Sequence, residues 1–193
     1  MNSELTRCVW ALQHPLETLY HDREWGVPQH DDTKLFELLI LEGAQAGLSW
    51  LTVLKKRGNY RKAFQNFNPA KVARFTPKKI AGFMENPGLI RNRRKLESAV
   101  ANARAFLKIQ EEHDSFDKFI WQFVDGKPVQ NAWSKIEQVP AQTAQSQAMS
   151  KELKKLGFIF VGPTICYAFM QATGMVNDHL TTCFRYERLR LKH

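Results

Sequence analysis

The chain has 193 residues, 44% hydrophobic and 24% charged, with a formal net charge of +9. That length supports a core in one domain or two small lobes, and the composition excludes a disordered or fibrous chain. The cationic excess points to a polyanionic partner, with nucleic acid first and an anionic membrane surface second.

The opening MNSELTRCVW carries Glu4 and no apolar stretch, so no secretory leader is expected. Three cysteines, an odd number, argue against a disulfide framework, and a reduced, cytoplasmic setting is expected. Asp31 or Asp32 caps a helix that begins near Lys34, with Leu35, Leu38, Leu39 and Glu42 at i, i+3, i+4 and i+7. A turn over Gly43 to Gly47 follows. SWLTVLKKR predicts a second helix, ended by Gly58-Asn59, and a short helix covers Tyr60 to Phe67. Asn68-Pro69 and Thr76-Pro77 each open another, with proline in the first turn. ENPGLIRNRRK is a tight turn feeding a long helix, whose buried side is Leu96, Val100, Ala103 and Leu107.

FDKFIWQFV is a short amphipathic segment, and Pro140 to Gln147 reads as a polar loop. SKELKKLGF is a helix closed by Gly157. Gly162-Pro163 opens the last long helix and Gly174 closes it. The uncharged run Leu156 to Asn177 has the length of a membrane span, but its glycines, proline and polar residues argue against one, so no membrane partner is expected. No strand shows sustained alternation. The prediction is an all-α protein, a single unit over 1–193. No heptads are visible, and a monomer is expected.

Three groups of residues can carry chemistry. His179 and Cys183 share one helical face, a spacing that suits two ligands of one metal ion. A structural zinc site needs four protein ligands, and Cys8 and His21 are the best remaining pair. Together they would staple the two ends of the chain; the alternative is a coincidence of scattered residues, because the spacing is not that of a finger. Cys166 reads as a small buried hydrophobe, and His14, His30, His113 and His193 as surface residues.

Glu42 lies on an apolar stripe, where a carboxylate loses hydration unless paired. It is either a structural acid paired with a buried arginine or a functional one. Trp10, Tyr20, Trp25 and Trp50 are near it in sequence. They are core residues or the walls of a pocket for a planar cation, with Glu42 as counter-ion. Trp121 and Trp133 are assigned to packing. Third, Gly88 turns the chain into a helix start with Arg91, Arg93, Arg94 and Lys95, which is either a solvated basic helix end or a contact to the DNA backbone. KKRGNYRK is a second, less specific basic cluster.

The strings EWGVP, LEGAQAGLSW and VGPTICYAFMQ, with RCVW, the GLIRNRRK hairpin and MVNDH, run through nearly the whole chain. In them the sequence resembles the bacterial constitutive 3-methyladenine DNA glycosylases of the helix-hairpin-helix superfamily. The resemblance implies one structural zinc ion on Cys8, His21, His179 and Cys183, and a helical lobe over about 34–135 beside a zinc-stapled lobe from 1–33 and about 145–193. It implies a base pocket of Tyr20, Glu42 and Trp50 with Trp10 and Trp25 alongside. Glu42 would hydrogen-bond the alkylated adenine.

The reaction implied is hydrolysis of the N-glycosidic bond in alkylated double-stranded DNA after base flipping. It would release free 3-methyladenine and leave an abasic site. Leu48, in AQAGLSW, is either a filler of the gap left in the duplex or a core residue. The hairpin departs from the superfamily pattern, since Ile90 and Arg91 stand where a second glycine is usual. Rival readings are a non-catalytic zinc-stapled DNA-binding module, a glycosylase for another lesion, and a helical interaction protein with incidental charge.

Overall fold

A computed structural model describes residues 5–190 of the chain; Glu4 and His193 lie outside them. Ten α-helices and four short 3-10 turns make up the described architecture, with one two-residue parallel pairing, Val129–Gln130 against Val176–Asn177. The central element is α2 (Asp32–Gln45). Asp31 caps it through Lys34 N, satisfying one of the amides that a helix start leaves unpaired. Every residue from Leu35 to Ala44 is buried, because α3 (Trp50–Ala63), α6 (Arg93–His113), α7 (Phe116–Trp121) and α9 (Pro163–Ala172) all pack against this helix.

Several boundaries differ from the expectation. Gly43 does not begin a turn: it stays within α2, where a Cβ would lie 3.4 Å from that of Phe160. Gly58-Asn59 does not end α3, because Val53, Arg57 and Tyr60 are buried and carry the helix past it. The Gln-rich stretch is shorter than a loop to Gln147, since Thr143 and Ser146 form a capping box that starts α8 (Ala144–Lys155). On α6, Leu96, Val100 and Ala103 are buried as expected, but Leu107 is only half-buried and Phe106 takes the core position.

Asn68 caps α4 (Pro69–Val72), Thr76 caps α5 (Pro77–Met84) and Asn92 caps α6. The turn between α5 and α6 is braced by α3: Lys56 Nζ donates to Pro87 O at 2.6 Å, and Tyr60 OH accepts from Ile90 N at 3.3 Å.

Two regions of apolar packing result. The large core surrounds α2, and a smaller cluster gathers Cys8, Leu180 and Cys183 with Trp10, Trp25, Trp133 and Phe184 packed on it. The segment between α1 (Pro15–Arg23) and α2 is strapped to the end of α9. Gly26 N donates to Gln171 O at 3.1 Å and Gln29 N to Thr173 O at 3.0 Å. Gly174, at φ +69°, permits this approach, since a Cβ there would run into the Val27–Pro28 backbone. The strap places Trp25 between the two regions.

Candidate functional site

Tyr20, Glu42, Trp50, Trp10 and Trp25, from α1, α2, α3, a 3-10 turn and the strap, line one cavity of about 200 Å³. Gln45, Ile136, Val139, Ala168, Gln171 and Asp178 complete the wall. The volume is below the roughly 300–1,000 Å³ of drug-sized pockets and suits a small planar guest. The Tyr20 and Trp50 rings lie 5.2 Å apart at 48°, and Trp10 meets Trp25 edge-on at 5.1 Å.

Three polar atoms of the residues lining this cavity have no protein partner. Glu42 Oε2, Tyr20 OH and Trp50 Nε1 are all buried and unpaired. Buried polar atoms without partners are rare in native proteins, and three around one cavity mark a place built for a ligand. Glu42 is 3% exposed, and burial alone raises its carboxyl from the ordinary 4.5 to about 8. Burial, then the proximity of Glu42, raises the Tyr20 phenol well above its usual range.

Among the described residues, no lining side chain is a cation. The buried Arg57 serves other acids, Glu37 at 2.6 Å and Glu24 at 2.8 Å. Against the cost of burial, Arg61 and Arg57 hold Glu37 below the ordinary carboxylate range. The structural alternative for Glu42, pairing with a buried arginine, is thus taken by Glu37. Three of the five cations of KKRGNYRK are likewise structural: Lys56 braces the turn between α5 and α6, while Arg57 and Arg61 pair with Glu37.

Asp178 was not among the sequence candidates. Its Oδ1 accepts from Asn131 Nδ2 at 2.7 Å and Trp133 Nε1 at 2.8 Å; its Oδ2 accepts from Tyr167 OH at 2.6 Å and Gln171 Nε2 at 2.8 Å. Four neutral donors therefore hold a buried carboxylate in the cavity wall. The signal was an acid inside an otherwise uncharged run, adjacent to His179.

Beside the cavity, Cys8, His21, His179 and Cys183 converge. Their ligand atoms all lie within 4.8 Å of one another and all four residues are buried. Cys8 Sγ is 3.7 Å and Cys183 Sγ 3.6 Å from His179 Nδ1, and Cys183 Sγ is 3.4 Å from His21 Nε2. Ligands at about 2.3 Å for sulfur and 2.0 Å for nitrogen, at tetrahedral angles, lie about 3.5 Å apart. The second nitrogen of each ring is also engaged: His21 Nδ1 with Asp22 Oδ1 at 2.8 Å, His179 Nε2 with the Trp25 carbonyl at 3.1 Å. Such outer partners fix the ring that ligates a metal. The neighbouring Cys183 thiol, with burial, pushes Cys8 up, while Cys8 and the two imidazoles pull Cys183 down. The donor set fits a tetrahedral soft metal. Cys166 sits apart, buried, with Sγ 3.4 Å from Val161 O.

The remaining histidines are less idle than expected. His14 caps α1 through Leu16 N, and His30 meets Asp117 at 2.8 Å while stacking on Trp121. Trp121 is buried and donates to Gln29 O; Trp133 donates to Asp178.

Leu48 is 41% exposed on the turn between α2 and α3, which removes the core reading for it. Arg91, Arg93 and Arg94 are exposed at the start of α6, and Arg93 approaches only Glu97, at 3.6 Å. Gly88 lies against α3, with a Cβ there falling 2.7 Å from Asn59 Nδ2. Lys95 differs from the expectation: it is half-buried, its Nζ bonds to Ala44 O and Ala46 O, and burial lowers its ammonium. It does not stand free with the three arginines. No helix among the described residues is long and apolar enough to cross a membrane.

Residues 10–186 match the family model described as methyladenine glycosylase. A Haemophilus influenzae protein named DNA-3-methyladenine glycosylase is 52% identical over 178 residues, covering 92% of this chain and 96% of that one. An Escherichia coli protein, DNA-3-methyladenine glycosylase 1, is 48% identical over 182 residues, covering 94% and 97%. The solved 3-methyladenine DNA glycosylase I from Staphylococcus aureus, in work on 3-methyladenine recognition, superposes with a TM-score of 0.91 at 38% identity, covering 98% of each chain. With these lengths of alignment and this degree of identity, the chain belongs to the methyladenine glycosylase family.

Proposed function

We propose that this protein excises 3-methyladenine from double-stranded DNA, hydrolysing the N-glycosidic bond to leave an abasic site. The observation that carries this reading is the set of three buried, unpartnered polar atoms of Glu42, Tyr20 and Trp50 around one aromatic cavity. Names of relatives similar over nearly their whole length support the same substrate.

Methylation at N3 makes the base cationic in the nucleotide and a good leaving group, so the site works by selection and electrostatics. The flipped base enters the cavity, and its positive charge supplies the counter-ion that the wall lacks. Glu42 then loses its proton to solvent water as the cation enters and accepts a hydrogen bond from the base edge as a carboxylate. Trp50 packs on the ring face, and Tyr20 offers its hydroxyl. Neutral adenine cannot draw Glu42 into ionising and is left in the stack. Positive charge that develops on the sugar is stabilised by the DNA phosphates, and water completes the hydrolysis. None of the described lining residues is a lysine, which accords with a monofunctional enzyme that does not nick the strand.

The same reading assigns α5, the turn at Gly88 and α6 to a helix-hairpin-helix that contacts phosphates through backbone amides, Arg91, Arg93 and Arg94. It assigns one structural zinc to Cys8, His21, His179 and Cys183. The ion would supply a cross-link between the chain's two ends and no part of the hydrolysis.

The test is base release from methylated duplex DNA with the freed purines separated. Free 3-methyladenine with 7-methylguanine retained is the expected result. DNA binding by folded protein with no release would overturn it in favour of a lesion-blind binding module.

A further inference from the structure

A cation in the first turn of a helix sits at the wrong end of that helix's dipole. Lys95 is such a cation, in the first turn of α6, where Asn92 Oδ1 caps its backbone amide at 3.2 Å. Its side chain turns away from that site. Nζ donates to Ala44 O at 2.8 Å and Ala46 O at 2.6 Å. Ala44 O belongs to the carbonyls that the end of α2 leaves without partners, and Ala46 is the residue that caps that end. The charge disfavoured by α6 is therefore favourable for α2.

The bond joins three working parts. One is the hairpin, which runs directly into the first turn of α6. The second is the end of α2, just beyond Glu42. The third is the turn that exposes Leu48 and leads into Trp50 at the start of α3. The other side of the hairpin is already held by α3, through Lys56 on Pro87 O and Tyr60 on Ile90 N. Hairpin, Leu48 turn and α3 thus form a closed ring of contacts, and Lys95 is its last link.

We propose that Lys95 is a positioning residue that locks the hairpin and the Leu48 turn into one rigid body. Seating the hairpin on the phosphates then brings Leu48 to the base stack and presents the flipped base to Trp50 in the same movement. This rests on the glycosylase reading above. It gives Lys95 a task separate from that of Arg91, Arg93 and Arg94, which remain for the phosphates.

Lys95→Met and Lys95→Arg in the full chain test it. A phosphate contact, once lost, lowers the slope of log binding constant against log salt by about one on undamaged duplex. Lys95→Met is expected to keep the parent slope. Its affinity for free 3-methyladenine, read by tryptophan fluorescence, should stay within about twofold of the parent, whereas a merely structural defect would weaken it. Single-turnover release from saturating duplex should fall by roughly tenfold or more, with most of the rate recovered in Lys95→Arg. Should Lys95→Met fail to fold, Lys95→Gln carries the same tests. A slope reduced by about one, an unchanged release rate, or free-base affinity falling in step with release each overturns the proposal while leaving the glycosylase reading intact. A parent chain that releases no base overturns both.

Discussion

Replacing Glu42 with glutamine should make the protein more stable and less active, and the gain in stability should depend on pH. Unfolded, the carboxyl titrates near 4.5; folded, burial moves it to about 8. Between those values the native chain binds a proton that the unfolded chain has released. Stability therefore falls as pH rises from about 4.5 to about 8, and levels off above that. Each unit of pH in that window is worth about 1.4 kcal/mol, so between pH 6 and pH 9 this one group costs the parent about 2–3 kcal/mol.

Glutamine keeps the shape and has no charge to bury. In urea unfolding the advantage of Glu42→Gln over the parent should thus be about 2–3 kcal/mol larger at pH 9 than at pH 6. A difference constant to within about 0.5 kcal/mol across that range would refute the account of Glu42 as an acid without a partner. The same variant loses a charge-assisted hydrogen bond to the base, worth about 1.5–3 kcal/mol, and release of 3-methyladenine should slow by roughly ten- to hundredfold.

Three further outcomes follow from the geometry. Trp50→Ala removes one face of the cavity, and free-base affinity measured by titration should fall by about 1–3 kcal/mol, the usual worth of a base on an aromatic ring. The parent should carry one zinc per chain by native mass spectrometry and Cys183→Ala none. Chelation should lower the thermal midpoint of the parent and leave that of the variant unmoved. Gly88→Ala places a methyl group 2.7 Å from Asn59 Nδ2, so duplex affinity should drop, and adding Asn59→Ala should restore much of it.

Local chemistry explains what could be read ahead of the coordinates. Asp31, Asn68, Thr76 and Asn92 cap the helices they precede, because a cap needs only a short polar side chain and the next three amides. Glu42 stood out because a carboxylate breaks an apolar stripe. Features set by tertiary packing were hidden. Gly58 sits inside α3 because Tyr60 and Arg57 are buried by partners far along the chain. Lys95 looked like one of four equivalent cations, yet the carbonyls it binds lie 51 and 49 residues away. The lone acid Asp178 marks itself in an uncharged run, but its partners do not: three of its four donors come from Asn131, Trp133 and Tyr167, which no local spacing joins.

Trp25 has its ring in the cavity wall while its carbonyl receives His179 Nε2, and the ring lies 4.6 Å from that of the histidine. Trp10 plays the same double part against His21, at 5.4 Å. One side of the pocket is therefore also the packing around the Cys8, His21, His179 and Cys183 cluster, and reshaping it to change what the pocket accepts would disturb that cluster. Ile136, Val139 and Ala168 also line the cavity, and they are not among the hydrophobic side chains packed on Cys8, Leu180 and Cys183. Anyone seeking a variant for a bulkier lesion should begin there, trimming Ile136 and Val139 and leaving the tryptophans alone.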